Sequence, residues 1–335
     1  MEEKEIVLQV NQLSTSFRTD RGMLRAVQGV SFSVRRGEIL GLVGESGCGK
    51  SVTSMSIMRL YDEKYMARYE GEVLLEGRNI LDLPFREMQN IRGRDISMIF
   101  QDALSSLNPV LRISDQIMEP LRIHQHMGRK EAYARAVEML RLVGIPSPET
   151  RVDQYPHELS GGMRQRVMIA IALACQPRLL IADEPTTALD VTIQAQILDL
   201  ILELNEKLDM GVILITHDLA VVSQVCQRVA VMYLGQIVEE ADVTELFDHP
   251  MHPYTQGLLE SIPRLDGGAR RELHQIAGTV PLLHQIPRGC RFAPRCPYAD
   301  ARCTQEDPEL EQCTPGHMVR CMKNIGKEGA AHAGT

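Results

Sequence analysis

Several things are scarce in these 335 residues. There is no tryptophan, and aromatic residues of all kinds make up only 4% of the chain. There is no excess of positive charge: the formal net charge of −8 argues against a nucleic-acid binder held mainly by phosphate contacts. The longest uninterrupted apolar run, Val167–Cys175 (VMIAIALAC), falls well short of the roughly 20 residues needed to cross a bilayer. The first residues, MEEKEIVLQV, are acidic where a secretory leader would be basic, and no long apolar stretch follows them. A cytosolic chain is therefore expected, brought to a membrane only by a partner.

What remains is ordinary for a globular protein, with 44% hydrophobic and 24% charged residues. The length exceeds one typical domain and suggests a main domain with an appendage. Cysteine is unevenly spread: five of the eight, at 290, 296, 303, 313 and 321, lie near the end of the chain. In a reducing compartment such a cluster favours metal ligands or redox groups over disulfides. Cys175 and Cys226 sit on apolar faces and read as core residues.

Strands and helices alternate. Residues 5–17, 38–44, 70–80, 96–101, 179–184 and 211–217 have strand character, and helices are expected over 162–175 and 192–208. Between 103 and 165 the pattern is helical, broken by Pro and Gly, as in an inserted helical subdomain. Alternating strands and helices indicate an α/β fold with a parallel sheet covered on its faces. Past about 260 the periodicity weakens and Pro, Gly, Arg and Cys rise. The expected organisation is a main domain over 1–260, a Cys-rich extension over 261–325 and a disordered tail over 326–335.

The strongest motif is GESGCGKS, residues Gly44, Glu45, Ser46, Gly47, Cys48, Gly49, Lys50 and Ser51, placed between an expected strand and an expected helix. Its glycines let backbone N–H groups curl round phosphate oxygens at a helix N-terminus. Lys50 would reach the β- and γ-phosphates, and Ser51 would ligate Mg²⁺. A glycine turn that merely starts a helix is the plain alternative. Downstream, LLIADE ends an apolar strand in two carboxylates, Asp183 placed to hold Mg²⁺ through water and Glu184 to take a proton from the attacking water.

LSGGMRQR (Leu159–Arg166) resembles the signature motif of ATP-binding-cassette (ABC) ATPases, and Gln101, the loop TALD (Thr187–Asp190) and His217 stand in that family's order. The resemblance covers about residues 5–260. It implies a P-loop NTPase cassette: a RecA-like parallel sheet, an antiparallel β subdomain and the inserted helical subdomain, with the Cys-rich extension appended. It further implies that two cassettes pack head to tail, each ATP lying between the P-loop of one and Ser160, Gly161 and Gly162 of the other. Gln101 would touch Mg²⁺ and the lytic water, and His217 the γ-phosphate. Phe17 would stack on adenine, though a core aromatic is an equal reading, and Asp190 would lie across the dimer interface.

QDALSSLNP (101–109), YPHELSGGM (155–163) and HPYTQGLLESIPR (252–264) resemble the ATPase subunits of dipeptide, oligopeptide and nickel importers, with Ala103 where Pro is usual. The tail, taken by itself, lacks the close C-x₂-C spacing of structural zinc, and its Cys296–Pro297 pair matches the C-P of ferredoxin-type runs. An iron–sulfur cluster, zinc and free or disulfide-forming thiols all stand as readings. The resemblance implies Cys290, Cys296, Cys303 and Cys321 as ligands of a [4Fe–4S] cluster and leaves Cys313 out. Arg288, Arg291, Arg295 and Arg302 would offset cluster charge or form a solvated loop.

The expected function is the ATP-hydrolysing subunit of an importer for di- and oligopeptides or related solutes such as nickel complexes or glutathione. It would sit at the cytoplasmic face of the cell membrane with two permease subunits, a second related ATPase and an extracytoplasmic solute-binding protein, and would use ATP and Mg²⁺. A soluble ABC ATPase acting on DNA, ribosomes or iron–sulfur assembly is the alternative.

Overall fold

The computed structural model describes residues 5–20, 22–101, 106–187, 189–262 and 276–323. Ala103, residues 263–275 and the tail from 324 lie outside the described residues, and with them the expectation of disorder over 326–335. The chain divides into two compact units that interleave along the sequence. One comprises Met1–Leu8, Val34–Ile39 and Leu74–Ile215, the other Gln9–Ser33, Leu40–Val73 and Thr216–Thr335.

The first unit contains the short strand β5 (Arg78–Asn79) and helix α2 (Phe85–Ile91) and is built on three parallel strands, β6 (Ile96–Ile99), β7 (Leu179–Asp183) and β8 (Gly211–Thr216), in register through Ile96↔Leu179 and Leu179↔Gly211. Every residue of β7 and β8 is buried, which is why both read as unbroken apolar runs without alternation. The helical region is α3 (Ile113–His124), α4 (Arg129–Leu142), α5 (Pro148–Arg151), a 3₁₀ turn at Pro156–Glu158 and α6 (Gly161–Leu173). Its core follows helical spacing: α4 buries Ala132, Ala136, Met139 and Leu140, and α3, α4 and α6 pack on one another. α7 (Val191–Leu208) buries Ile197, Leu198, Ile201 and Leu204 and ends at Asp209, whose φ is 50°.

The second unit holds long strands β1 (Ile6–Thr19) and β2 (Gly22–Arg35), with β4 (Ala67–Leu75) on the other side of β1. It also holds β3 (Ile39–Val43), which pairs in parallel with β9 (Arg228–Tyr233). β10 (Gln236–Asp242) runs antiparallel to β9. Then β12 (His317–Val319) pairs with β10, and β11 (Glu311–Thr314) with β12. Residues 311–319 thus extend the sheet that contains β3. Helices α8 (Leu219–Val225), α9 (Val243–Asp248) and α10 (Pro253–Glu260) belong to the same unit.

Candidate nucleotide site and a cysteine-lined pocket

In the second unit β3 delivers the chain into Gly44, Gly47 and Gly49, with φ of 148°, 80° and 105°, before α1 (Lys50–Ile57) begins. These angles are why the loop is glycine-rich. At Gly44 a Cβ would also stand 2.2 Å from the Met232 carbonyl oxygen. Lys50 is buried, and its Nζ donates to the carbonyl oxygens of Gly44 at 2.7 Å and Glu45 at 3.0 Å, so the cation lies over its own loop. Ser51 opens the helix half-buried. The Cys48 thiol is buried, and that burial raises its pKa despite Lys50 Nζ at 3.8 Å, which disfavours the reactive thiolate.

Glu45 is held at both ends. Its N–H donates to the Tyr254 hydroxyl at 2.8 Å, and its carboxylate receives both Nη groups of Arg295. Sequence reasoning assigned neither contact; partners 209 and 250 residues away leave no local signature. Phe17 is half-buried and packs edge-on against Tyr61, with ring centroids 4.8 Å apart. His217 is exposed just after β8, and the next residue, Asp218, caps α8 by accepting from the Ala220 N–H at 2.9 Å.

In the first unit the end of β7 carries Asp183, buried, followed by Glu184 in the left-handed region at φ 46°. That conformation is unfavourable for glutamate and marks a turn set by its surroundings. The Glu184 N–H donates to the Ile215 carbonyl at 2.9 Å. Its carboxylate Oε2 accepts from Gln101 Nε2 at 2.9 Å and from the Thr187 hydroxyl at 2.9 Å. The structure thus brings together two of the expected hydrolytic residues and adds Thr187, whose part the loop sequence did not reveal.

Ser160 caps α6, its side chain accepting from the Met163 N–H at 3.4 Å, with Gly161 exposed on the first turn. This leaves a helix N-terminus facing outward, where backbone N–H groups and the helix dipole favour an anion. Asp190 caps α7 by accepting from the Ile193 N–H at 2.9 Å. A Cβ on Gly162 would stand 2.9 Å from Ile193 Cγ2, so the starts of α6 and α7 meet where only glycine leaves room.

Cys290, Cys296, Cys303 and Cys321 line one pocket with Phe292, Tyr298 and His252, and Cys313 is not among its walls. Burial pushes the Cys290 thiol up to about 11 and raises that of Cys296. None of the eight cysteines is in a disulfide. Among the described residues no three His, Cys, Asp or Glu side chains converge as a single metal ion requires. The zinc expectation is therefore not supported: thiols spread around a pocket wall do not present the tetrahedral donor set of that ion. Nor does any preformed ligand group establish the [4Fe–4S] cluster. The arginine expectation needs correcting too. Arg291 and Arg295 are buried and engaged elsewhere, Arg291 with the Leu234 carbonyl and the Gln28 side chain, its pKa pushed down to about 10 by burial.

Residues 27–187 match the family described as ABC transporter, and residues 238–303 that described as oligopeptide/dipeptide transporter, C-terminal region. The chain belongs to the ATP-binding subunits of ABC transporters, an ATPase family. Among its relatives is a probable peptide ABC transporter ATP-binding protein, y4tR, of Sinorhizobium fredii (strain NBRC 101917 / NGR234), 52% identical over 96% of each chain. The oligopeptide transport ATP-binding protein AppD of Bacillus subtilis (strain 168) is 52% identical over 94% of this chain and 96% of its own. In structure, the ATP-binding cassette MJ0796, a dimer in a post-hydrolysis state bound to ADP and Pi, superposes with a TM-score of 0.63. It is 29% identical and covers 70% of this chain and 98% of its own. ATP and Mg²⁺ are accordingly the expected ligands. Among the described residues no helix is long and apolar enough to cross a membrane.

Proposed function

We propose that this chain hydrolyses ATP to drive import of di- or oligopeptides through a separate permease. The observation that carries the hydrolytic part is the hydrogen bond from Gln101 to Glu184 at the end of β7. A carboxylate fixed there by two donors is oriented to take the proton of an attacking water. Lys50 and the N–H groups of Ser46 to Ser51 would hold the β- and γ-phosphates, and Phe17 the adenine. His217 would meet the γ-phosphate. Mg²⁺ would be held by Ser51, Gln101 and Asp183, and supplies neutralisation of phosphate charge when bound. Ser160, Gly161 and Gly162 would close on the ATP of a second cassette, with Asp190 at the contact.

Peptide as cargo is supported by the C-terminal match and by the names of the relatives, oligopeptide and peptide transport proteins. The same match disfavours a soluble ABC ATPase working on DNA or ribosomes. The partners that follow are two permease subunits, a related second ATPase and an extracytoplasmic binding protein, with this chain peripheral at the inner face of the membrane. Co-purification from detergent-solubilised membranes tests this: recovery with a permease is expected, and recovery without any integral-membrane partner overturns the transporter reading.

The finer reading of the tail is that Cys290, Cys296, Cys303 and Cys321 hold a [4Fe–4S] cluster. Their shared pocket supports it, since a cubane takes each thiolate at a different iron and needs the sulfurs spaced apart. Anaerobic purification with visible absorption and iron analysis checks it; a colourless protein without iron overturns it.

A further inference from the structure

The phosphate-loop segment and the cysteine-bearing segment are joined through one residue of each. Arg295 lies on the short 3₁₀ turn Ala293–Arg295 between Cys290 and Cys296. Its two Nη atoms reach the Glu45 carboxylate oxygens at 2.6 and 3.0 Å, while its Nε donates to the Ala277 carbonyl at 2.9 Å. The guanidinium stands 5.8 Å from the Tyr233 ring centroid and 6.0 Å from that of Phe292. Its side chain is 4% exposed, against 30% for Glu45. A two-pronged pair whose guanidinium is buried has a more fixed geometry than a surface ion pair.

The position of Glu45 gives the pair its consequence. A free carboxylate on a phosphate-binding loop repels the charge the loop must receive. Arg295 neutralises it and draws it towards the aromatic cluster of Tyr233, Tyr254 and Phe292, whose rings lie 4.7 to 5.3 Å apart. Tyr254 takes the N–H of the same residue, so backbone and side chain are both fixed from the C-terminal part of the chain. The sheet is continuous between the two segments: β12 is hydrogen-bonded to β10, β10 to β9, and β9 to β3, the strand that leads into the loop.

We propose that Arg295 is a positioning residue for the nucleotide, holding Glu45 away from the triphosphate and so setting the affinity for ATP from within the cysteine-bearing segment. This rests on reading Gly44–Ser51 as the ATP site. The test is equilibrium binding of MgATP and steady-state hydrolysis by the full chain. Arg295→Ala raises Kd and KM about tenfold, with kcat falling less than about threefold. Arg295→Lys, which keeps the charge but loses the fork, falls between. The distinguishing variant is Arg295→Ala with Glu45→Gln, which regains most of the lost affinity because no unpaired carboxylate remains. If Arg295→Ala does not fold, Arg295→Gln, which keeps the aliphatic stem in place, carries the same expectation. Wild-type affinity in the single variant, or no recovery in the double, overturns the proposal. Lys50→Ala separates the underlying reading: loss of MgATP binding upholds the site, whereas retained binding overturns the site itself.

Discussion

Gln101 Nε2 donates to Glu184 Oε2 at 2.9 Å, joining the end of β6 to the end of β7 across 83 residues of chain. The bond fixes one oxygen of a carboxylate whose backbone is already held at φ 46°. Gln101→Ala is expected to lower kcat by roughly tenfold to a hundredfold, the scale for a lost proton-transfer alignment. Gln101→Glu, which places a second carboxylate against Glu184, should be worse. Steady-state phosphate release at saturating ATP measures both.

Asp190 separates a local task from a proposed interface task. Its carboxylate caps α7 through the Ile193 N–H. Asp190→Ala should lower stability by about 1 kcal/mol, read from urea unfolding. Asp190→Asn retains the cap and should leave stability near wild type. A fall in ATP-driven dimerisation in the Asn variant alone then reports the interface.

At Gly44 a side chain is excluded on two counts, a φ of 148° and a Cβ that would meet the Met232 carbonyl at 2.2 Å. Gly44→Ala is expected to cost on the order of 3 kcal/mol and to abolish nucleotide binding even where the fold survives. Thermal unfolding and MgATP binding together check this.

His317 is fully buried on β12, with Nε2 2.7 Å from Glu239 Oε1 and Nδ1 3.4 Å from Glu245 Oε1. Burial pulls its pKa down, but the hydrogen bond and charge of Glu239, with Glu245 behind, outweigh this and leave it raised. A raised folded pKa contributes stability that is fully present below the unfolded value of about 6.5 and lost as pH rises through the folded value. Neighbouring His252, pushed down to about 4 by burial, stays neutral across that window. The melting temperature should therefore fall from pH 6 to pH 8 more in the wild type than in His317→Gln.

The fold of the chain was legible wherever it is local. β3, β7 and β8 read as strands because burial on both faces leaves unbroken apolar runs, and the loop after β3 because positive φ demands glycine. The four cysteines that line the pocket are the four singled out by the resemblance, with Cys313 apart. What was not legible depends on pairing across the chain. β11 and β12 are short strands with no periodicity of their own, and they exist by pairing, β12 with β10 and β11 with β12. Arg295 looked like one basic residue among four, and only the folded chain sets it against Glu45.

Glu184 is the proposed proton acceptor for hydrolysis, and single-turnover hydrolysis with both composite sites altered tests that role most directly. With Glu184→Gln in this chain and the matching residue replaced in the second cassette, MgATP should bind with near wild-type affinity. Hydrolysis should slow by a factor on the order of a hundred or more. Hydrolysis at the wild-type rate in that doubly altered assembly would contradict that role for Glu184.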